Sequence, residues 1–311
     1  MNTTQVTIES DGVTLSGTRV EPDTPRATVL LVHGSGPLDR NQNSKAAKLE
    51  TFSHFAAALH DAGFATIRWD KRGIGASGGD YQALRQAQLV ADVRAWIGAA
   101  QGSGPIYLLG HSEGTAIATQ AAQGQNVAGL VLVCPYITAG REILIRQAER
   151  SDQAVDDLTG LSGWLARLAT FIFGRPSQIQ ARMVRKLERT DCAFIRVGLR
   201  KVPAHWLRDF IQSDLDAIHR SNQRPTLLVV AEHDAQCPPE DGAKIAALNP
   251  KAELVQISGL SHILRATNDD GLADYMRQLK QPNDPRVAAV VIDWLVRQEG
   301  RGEPEAEDVQ Q

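Results

Sequence analysis

Apolar and polar positions alternate over residues 5–9 and again over 13–20, on either side of Asp11 and Gly12. A period of two predicts half-buried strands, and an Asp-Gly pair between them predicts a two-residue hairpin turn, so an antiparallel edge opens the fold. The next apolar runs are of another kind. Residues 27–33 (ATVLLVH), 65–69 (ATIRW), 106–109 (IYLL), 127–133 (VAGLVLV), 226–231 (TLLVVA) and 252–257 (AELVQI) are short and largely continuous. Such runs suit strands of a parallel sheet covered on both faces. Between them the period lengthens to three and four. Residues 45–62 carry Leu49, Phe52, Phe55, Ala56 and Leu59 and stop at Gly63, while 83–100 carry Leu89, Val93, Trp96 and Ile97. These patterns predict helices, as do residues 115–124, 241–248 and 285–297. Strand, helix and strand in alternation predict an α/β fold: a mostly parallel twisted sheet with helices on both faces.

The alternation breaks once. Residues 138–220 contain no strand-like run of comparable quality and read as successive amphipathic helices, with Leu158, Leu161, Leu165, Leu168 and Ile172 at three- and four-residue intervals. Trp164, Phe171 and Phe173 accompany that stripe, which is read as the internal core of an inserted unit, with lining of an acyl pocket as the second reading. The segment is too long for a connecting loop. The expected organisation is a core over 1–136 and 221–300, a helical cap inserted over 137–220, and a disordered acidic tail over 301–311.

The chain has 311 residues, a formal net charge of −3 and 42 % hydrophobic residues. That charge offers no global basic field for nucleic acid or anionic lipid. Cys134, Cys192 and Cys237 are odd in number and widely spaced, which suggests neither a disulfide framework nor a structural zinc site. The first twelve residues lack the basic and apolar regions of a secretion signal, and no window has the apolar length of a membrane span. A cytoplasmic protein is expected, with no nucleic acid and no membrane span among its partners and a homo-oligomer left open.

Chemistry concentrates at Gly110-His111-Ser112-Glu113-Gly114, a G-x-S-x-G between a predicted strand and a predicted helix. A tight turn there forces the central residue into strained backbone geometry and lifts Ser112 above the sheet at a helix N-terminus, where developing negative charge is favoured. The alternative is a serine that merely caps the helix. A serine hydroxyl needs an adjacent base and the base an orienting acid. His262 follows the last predicted strand and Asp234 the one before it, so the order Ser112, Asp234, His262 places all three at carboxyl ends of parallel strands.

The remaining polar residues receive structural readings. His33 is taken to brace its loop, His111 to point away from the chemistry, and Glu113 to contribute only its amide rather than a substrate-binding side chain. Asp39 and Arg40 are read as braces, and Asp70 and Arg72 as an ion pair of their Gly-rich loop. Glu232 is the reserve acid, Asp214 and Asp216 are solvated or helix-capping, and Cys134 and Cys237 are packed thiols.

From about residue 25 to 297, outside the insertion, the chain resembles the α/β-hydrolase superfamily. The resemblance rests on HGSGP at 33–37, DKRGIGAS at 70–77, GHSEG at 110–114, the Asp234 loop with Pro238, and GLSH at 259–262. HGSGPLDRN together with GHSEG looks most like capped bacterial carboxylesterases. Ala231 stands where many relatives have glycine. The resemblance implies a serine hydrolase acting on a small-molecule acyl substrate, an ester of a small or medium acyl group, through an acyl-enzyme on Ser112. His262 would be the base, Asp234 its partner, and the N–H groups of Ser35 and Glu113 the oxyanion hole. No metal or organic cofactor is required. Serine aminopeptidase or amidase activity is the second reading and a non-catalytic ligand-binding member the third, whereas epoxide hydrolases and dehalogenases carry aspartate at the Ser112 position.

Overall fold

In the computed structural model, which describes residues 2–197, 200–269 and 274–300, Asp11 and Gly12 both take positive φ, 47° and 71°. Strand β1 (Asn2–Ser10) turns there into β2 (Val13–Glu21), pairing Ser10 with Val13 across a two-residue loop. The Asp-Gly signal is thus read correctly, because both central residues of such a turn must tolerate left-handed backbone. Beside this hairpin lie β3 (Thr28–Val32), β4 (Ala65–Trp69), β5 (Ile106–His111), β6 (Gly129–Val133), β9 (Thr226–His233) and β10 (Ala252–Ser261). The sheet order is β1-β2-β4-β3-β5-β6-β9-β10. From β4 onward every pairing is parallel.

Strand residues divide between two cores because successive side chains point to opposite faces. Leu30 and Val32 join one core with Trp96 and Ile97 of α2 (Gln86–Ala100) and Ile117 of α3 (Glu113–Ala122). Val29 and Leu31 join the other with Phe52, Phe55 and Leu59 of α1 (Thr51–Asp61) and Val291 and Trp294 of α11 (Pro285–Gly300). The helix expected from residue 45 starts at Thr51 instead. Residues 39–50 form a looped arm in which Asp39 accepts the N–H groups of Asn41 and Asn43.

Between β6 and β9 come α4 (Gly140–Asp156), α5 (Gly160–Phe173), α6 (Pro176–Glu188), α7 (Ala204–Gln212) and α8 (Leu215–Arg220). The expectation of helices alone is corrected by an antiparallel hairpin, β7 (Phe194–Val197) with β8 (Arg200–Pro203). Its strands are four residues long, too short to display a period. A third core of Ile143, Leu187, Ile195, Leu207 and Phe210 fills this segment and reaches Ala116 and Tyr136 of the sheet domain. The stripe on α5 is not part of it. Trp164, Leu165, Phe171 and Phe173 face solvent, which overturns the reading of that stripe as internal core. α9 (Asp241–Ala246) and α10 (Tyr275–Gln278) complete the order. The tail expected at 301–311 lies outside the described residues.

Candidate active site

β3 has β4 on one side and β5 on the other, so the chain reverses its direction of winding between β3 and β5. Loops leaving the carboxyl ends of those two strands diverge around a crevice, the usual place for a ligand in an open α/β sheet. HGSGP leaves β3 and the G-x-S-x-G leaves β5.

At the end of β5, Ser112 has φ 55° and ψ −124°, and α3 begins at the next residue. The strained turn is enforced by its neighbours. A Cβ on Gly110 would lie 2.3 Å from the Gly114 carbonyl oxygen, and one on Gly114 would lie 2.2 Å from the Val32 carbonyl oxygen. Both obstacles are backbone atoms, so only glycine fits. The Ser112 N–H donates to the Val133 carbonyl at 2.9 Å. Ser112 is nearly buried, with 9 % of its surface exposed. The β3 turn passes alongside, since a Cβ on Gly34 would stand 3.3 Å from that of Ser112. Among the described residues, the backbone N–H groups of Ser35 and Glu113 donate to no protein acceptor. Two unpaired backbone donors flanking the Ser112 turn are what an oxyanion site requires.

Asp234 Oδ2 accepts from His262 Nδ1 at 2.8 Å, and both side chains are buried. Burial alone would raise the Asp234 carboxyl. The His262 ring and the backbone N–H groups of Cys237 and Gln236 outweigh it and hold the group below its ordinary range. With Nδ1–H committed to the carboxylate, Nε2 is left as the basic nitrogen. The Cys237 sulfur is within 4.8 Å of ligating atoms of both Asp234 and His262. The Ser112 hydroxyl and the His262 ring are not hydrogen-bonded to one another here; catalytic contacts of this kind commonly tighten only around substrate.

The other polar residues fall into place as supports. His111 contacts Gln42 Nε2 through Nδ1 at 2.5 Å and the His262 carbonyl through Nε2 at 2.9 Å, steadying the backbone of the His262 loop. Burial drives both His111 and His33 down to about 3, so neither is a base at neutral pH. Glu232 accepts the Gly259 N–H at 2.8 Å and is not in contact with His262. Asp214 caps α8 through the Ala217 N–H, and Asp216 pairs with Arg220. Cys134 and Cys237 are buried free thiols. Cys134 lies with His111 and His262, and Cys237 with Asp234 and His262, the ligand atoms of each trio within 4.8 Å of one another, a spacing that suits a soft metal. Every nitrogen and oxygen in that set already has a hydrogen-bond partner of its own except Nε2 of His262.

One expected pair is wrong. Asp70 does not bind Arg72; it takes Arg40 at 2.7 Å, and Arg40 also reaches Ser16 and Thr18 on β2. Arg72 is buried against Asp92 of α2 and Ser10. Proximity in sequence favoured neighbours, whereas the loop directs its side chains to opposite sides.

Two supports were missed from sequence. Lys71 is buried and donates to the Gly34 carbonyl at 2.6 Å, holding the β3 turn from behind. Glu113, also buried, accepts from Trp206 Nε1 of α7 at 2.6 Å and from Gln86 at 3.0 Å. Its side chain therefore ties the inserted segment to the elbow and does more than supply an amide. Neither partnership leaves a local pattern, because the partners are 37 and 93 residues apart.

Residues 23–267 match the family profile Hydrolase_4, described as serine aminopeptidase, S33. Among solved structures, the chain is similar to Est1E of Butyrivibrio proteoclasticus with ferulic acid bound, at 17 % identity over 95 % of this chain and 99 % of that one, with a TM-score of 0.62. It is similar to the Pyrococcus furiosus esterase PF2001 at 16 % identity over 96 % and 91 %, TM-score 0.60. Proline iminopeptidase of Mycobacterium smegmatis aligns at 15 % identity over 96 % and 100 %, TM-score 0.63. No curated protein matches the chain by sequence. The profile covers well over half of the chain, its fold is that of these structures, and the protein therefore belongs to the Hydrolase_4 family, serine aminopeptidase S33, of the α/β-hydrolase superfamily.

Proposed function

We propose that the protein is a serine hydrolase that cleaves carboxylic esters of small or medium acyl groups. The observation that carries this reading is the buried Asp234–His262 pair at 2.8 Å, set beside a Ser112 whose backbone is held at φ 55°. In this reading Ser112 Oγ attacks the acyl carbonyl while His262 Nε2 takes its proton. The tetrahedral oxyanion is held by the N–H groups of Ser35 and Glu113, and the imidazolium by Asp234. Collapse expels the alcohol, protonated by His262, and leaves an acyl group on Ser112. Water, deprotonated by His262, then releases the acid and restores the hydroxyl. Every step is supplied by side chains and backbone of this chain. Residues 137–220 act as a cap over the crevice, anchored through Trp206 and Glu113. The three cysteines, none of them disulfide-bonded, support a cytoplasmic location.

Hydrolysis of p-nitrophenyl acetate and butyrate tests the proposal. Turnover should be lost in Ser112→Ala, and a fluorophosphonate should label Ser112 in the folded wild-type protein. Turnover that survives the substitution, or a folded protein that resists the probe, would overturn it. The family description favours a second reading, cleavage of aminoacyl amides. Aminoacyl-naphthylamides turned over faster than esters would establish that reading, with the same three residues in the same roles.

A further inference from the structure

Helix α5 is built with its apolar side outward. At 100° per residue, Leu161, Trp164, Leu165, Leu168, Phe171 and Ile172 share an arc of about 120°. All of them are exposed, Leu161 by 74 % and Phe171 by 88 %. The residues turned from solvent are small ones, Gly163, Ala166 and Thr170. A helix that folds by burying its large apolar face is left here with that face uncovered by any of the described residues, so a further surface is needed to cover it.

The charge around the helix indicates what covers it. Residues 158–208 contain ten Lys and Arg against two acidic residues, in a chain with 33 basic and 36 acidic residues in all. Arg167 donates to the Leu158 carbonyl at the start of α5, and Arg182 to the Phe173 carbonyl at its end, each at 3.4 Å. Arg175 follows directly, paired with Asp156, and Arg185 and Lys186 are exposed on α6. An apolar helix with aromatic residues on its outer face and guanidinium groups at both ends has the make-up of a segment that lies in a lipid interface. There the apolar side chains enter the acyl boundary while the cations meet phosphates. A second copy of the chain would bring the same cations against one another, which disfavours self-association through this face.

We propose that α5 and the basic residues around it dock the protein on the surface of an anionic lipid bilayer, without spanning it. The proposal is independent of the ester reading, because binding is measured without turnover.

The test is flotation of the full chain with vesicles of phosphatidylcholine alone and of phosphatidylcholine mixed with phosphatidylglycerol. Binding to the mixed vesicles is expected, weaker by about a hundred-fold on the neutral ones, as loss of a few basic contacts implies. High salt should have the same effect, and Leu165→Glu with Phe171→Glu should abolish binding with the circular dichroism spectrum unchanged. Both side chains face solvent, so the fold does not depend on them. A second readout is quenching of tryptophan fluorescence by brominated lipid, expected in the wild type and lost in Trp164→Phe. Absence of flotation with anionic vesicles overturns the proposal. So does a concentration-dependent dimer that dissociates in Phe171→Glu, since that would assign the face to a second copy.

Discussion

Two buried ionisable residues carry opposite consequences for the site. Asp234 keeps its charge because His262 and two backbone amides compensate its burial. In Asp234→Asn the amide would donate to Nδ1 of His262, placing the imidazole proton on Nε2, where it blocks proton abstraction from Ser112. Turnover of a p-nitrophenyl ester should fall by about 10³–10⁴-fold, with the thermal unfolding midpoint little changed by comparison. A loss of only a few-fold in steady-state kcat would mean that Asp234 does not set the tautomer. Lys71 is the reverse case. Burial lowers it to about 8 from an ordinary value of 10.5, and nearby Glu113 offsets this only in part. Between those two values the unfolded chain holds a proton that the folded chain has released, so stability rises with pH in that window. From pH 8 to 9.5 this amounts to about 2 kcal/mol. Urea unfolding at the two pH values should show that rise in wild type relative to Lys71→Met, whose side chain does not titrate. Equal slopes in the two proteins would contradict the assignment.

At the scale of elements, the junction between β5 and α3 is the feature most tightly specified by packing. A Cβ on Gly114 would enter the Val32 and His33 carbonyl oxygens, at 2.2 and 2.6 Å. Relief requires β3 and α3 to separate. Gly114→Ala is therefore expected to cost about 3 kcal/mol or more in chemical denaturation, within the range of severe overpacking. Gly98→Ala on α2 serves as the control, since a Cβ there meets nothing within 4 Å. This junction was legible in sequence for the same reason that it is fragile: its geometry is imposed by adjacent residues. The central strands were legible too, because burial on both faces leaves an unmistakable apolar run. What could not be read depends on distant partners. Arg40 with Asp70, Arg72 with Asp92, Lys71 with Gly34 and Trp206 with Glu113 are pairings made by the sheet, not by spacing. The β7–β8 hairpin escaped because strands of four residues display no period, and α1 starts only at Thr51 because Glu50 before it takes left-handed backbone.

At the scale of the whole molecule, the insertion is not a uniform body. Its last part belongs with the sheet domain. Leu207 and Phe210 of α7 and Leu215 of α8 pack with Ala116 and Tyr136, and His219 donates from α8 to the Tyr136 carbonyl at 3.0 Å. Gln86 and Ser213 add a further link between α2 and the residue after α7. By contrast α5 buries none of its large side chains and rests chiefly on α4. The same composition that suggested a core helix from sequence, a run of Leu, Trp and Phe, thus marks the part with least internal support, because hydrophobicity alone does not say which way a helix faces. The whole-chain charge of −3 hid the basic surroundings of that helix in a similar way. Amide exchange in aqueous buffer should resolve the difference. Opening free energy follows the apolar area buried by each unit, so amides of α5 should exchange by local opening, orders of magnitude faster than those of α3, while α7 and α8 should approach the protection of α3. Mass spectrometry of exchanged peptides covering residues 160–173, 204–220 and 113–122 is the measurement. Protection of α5 equal to that of α3 would mean that the insertion opens and closes as one unit with the core.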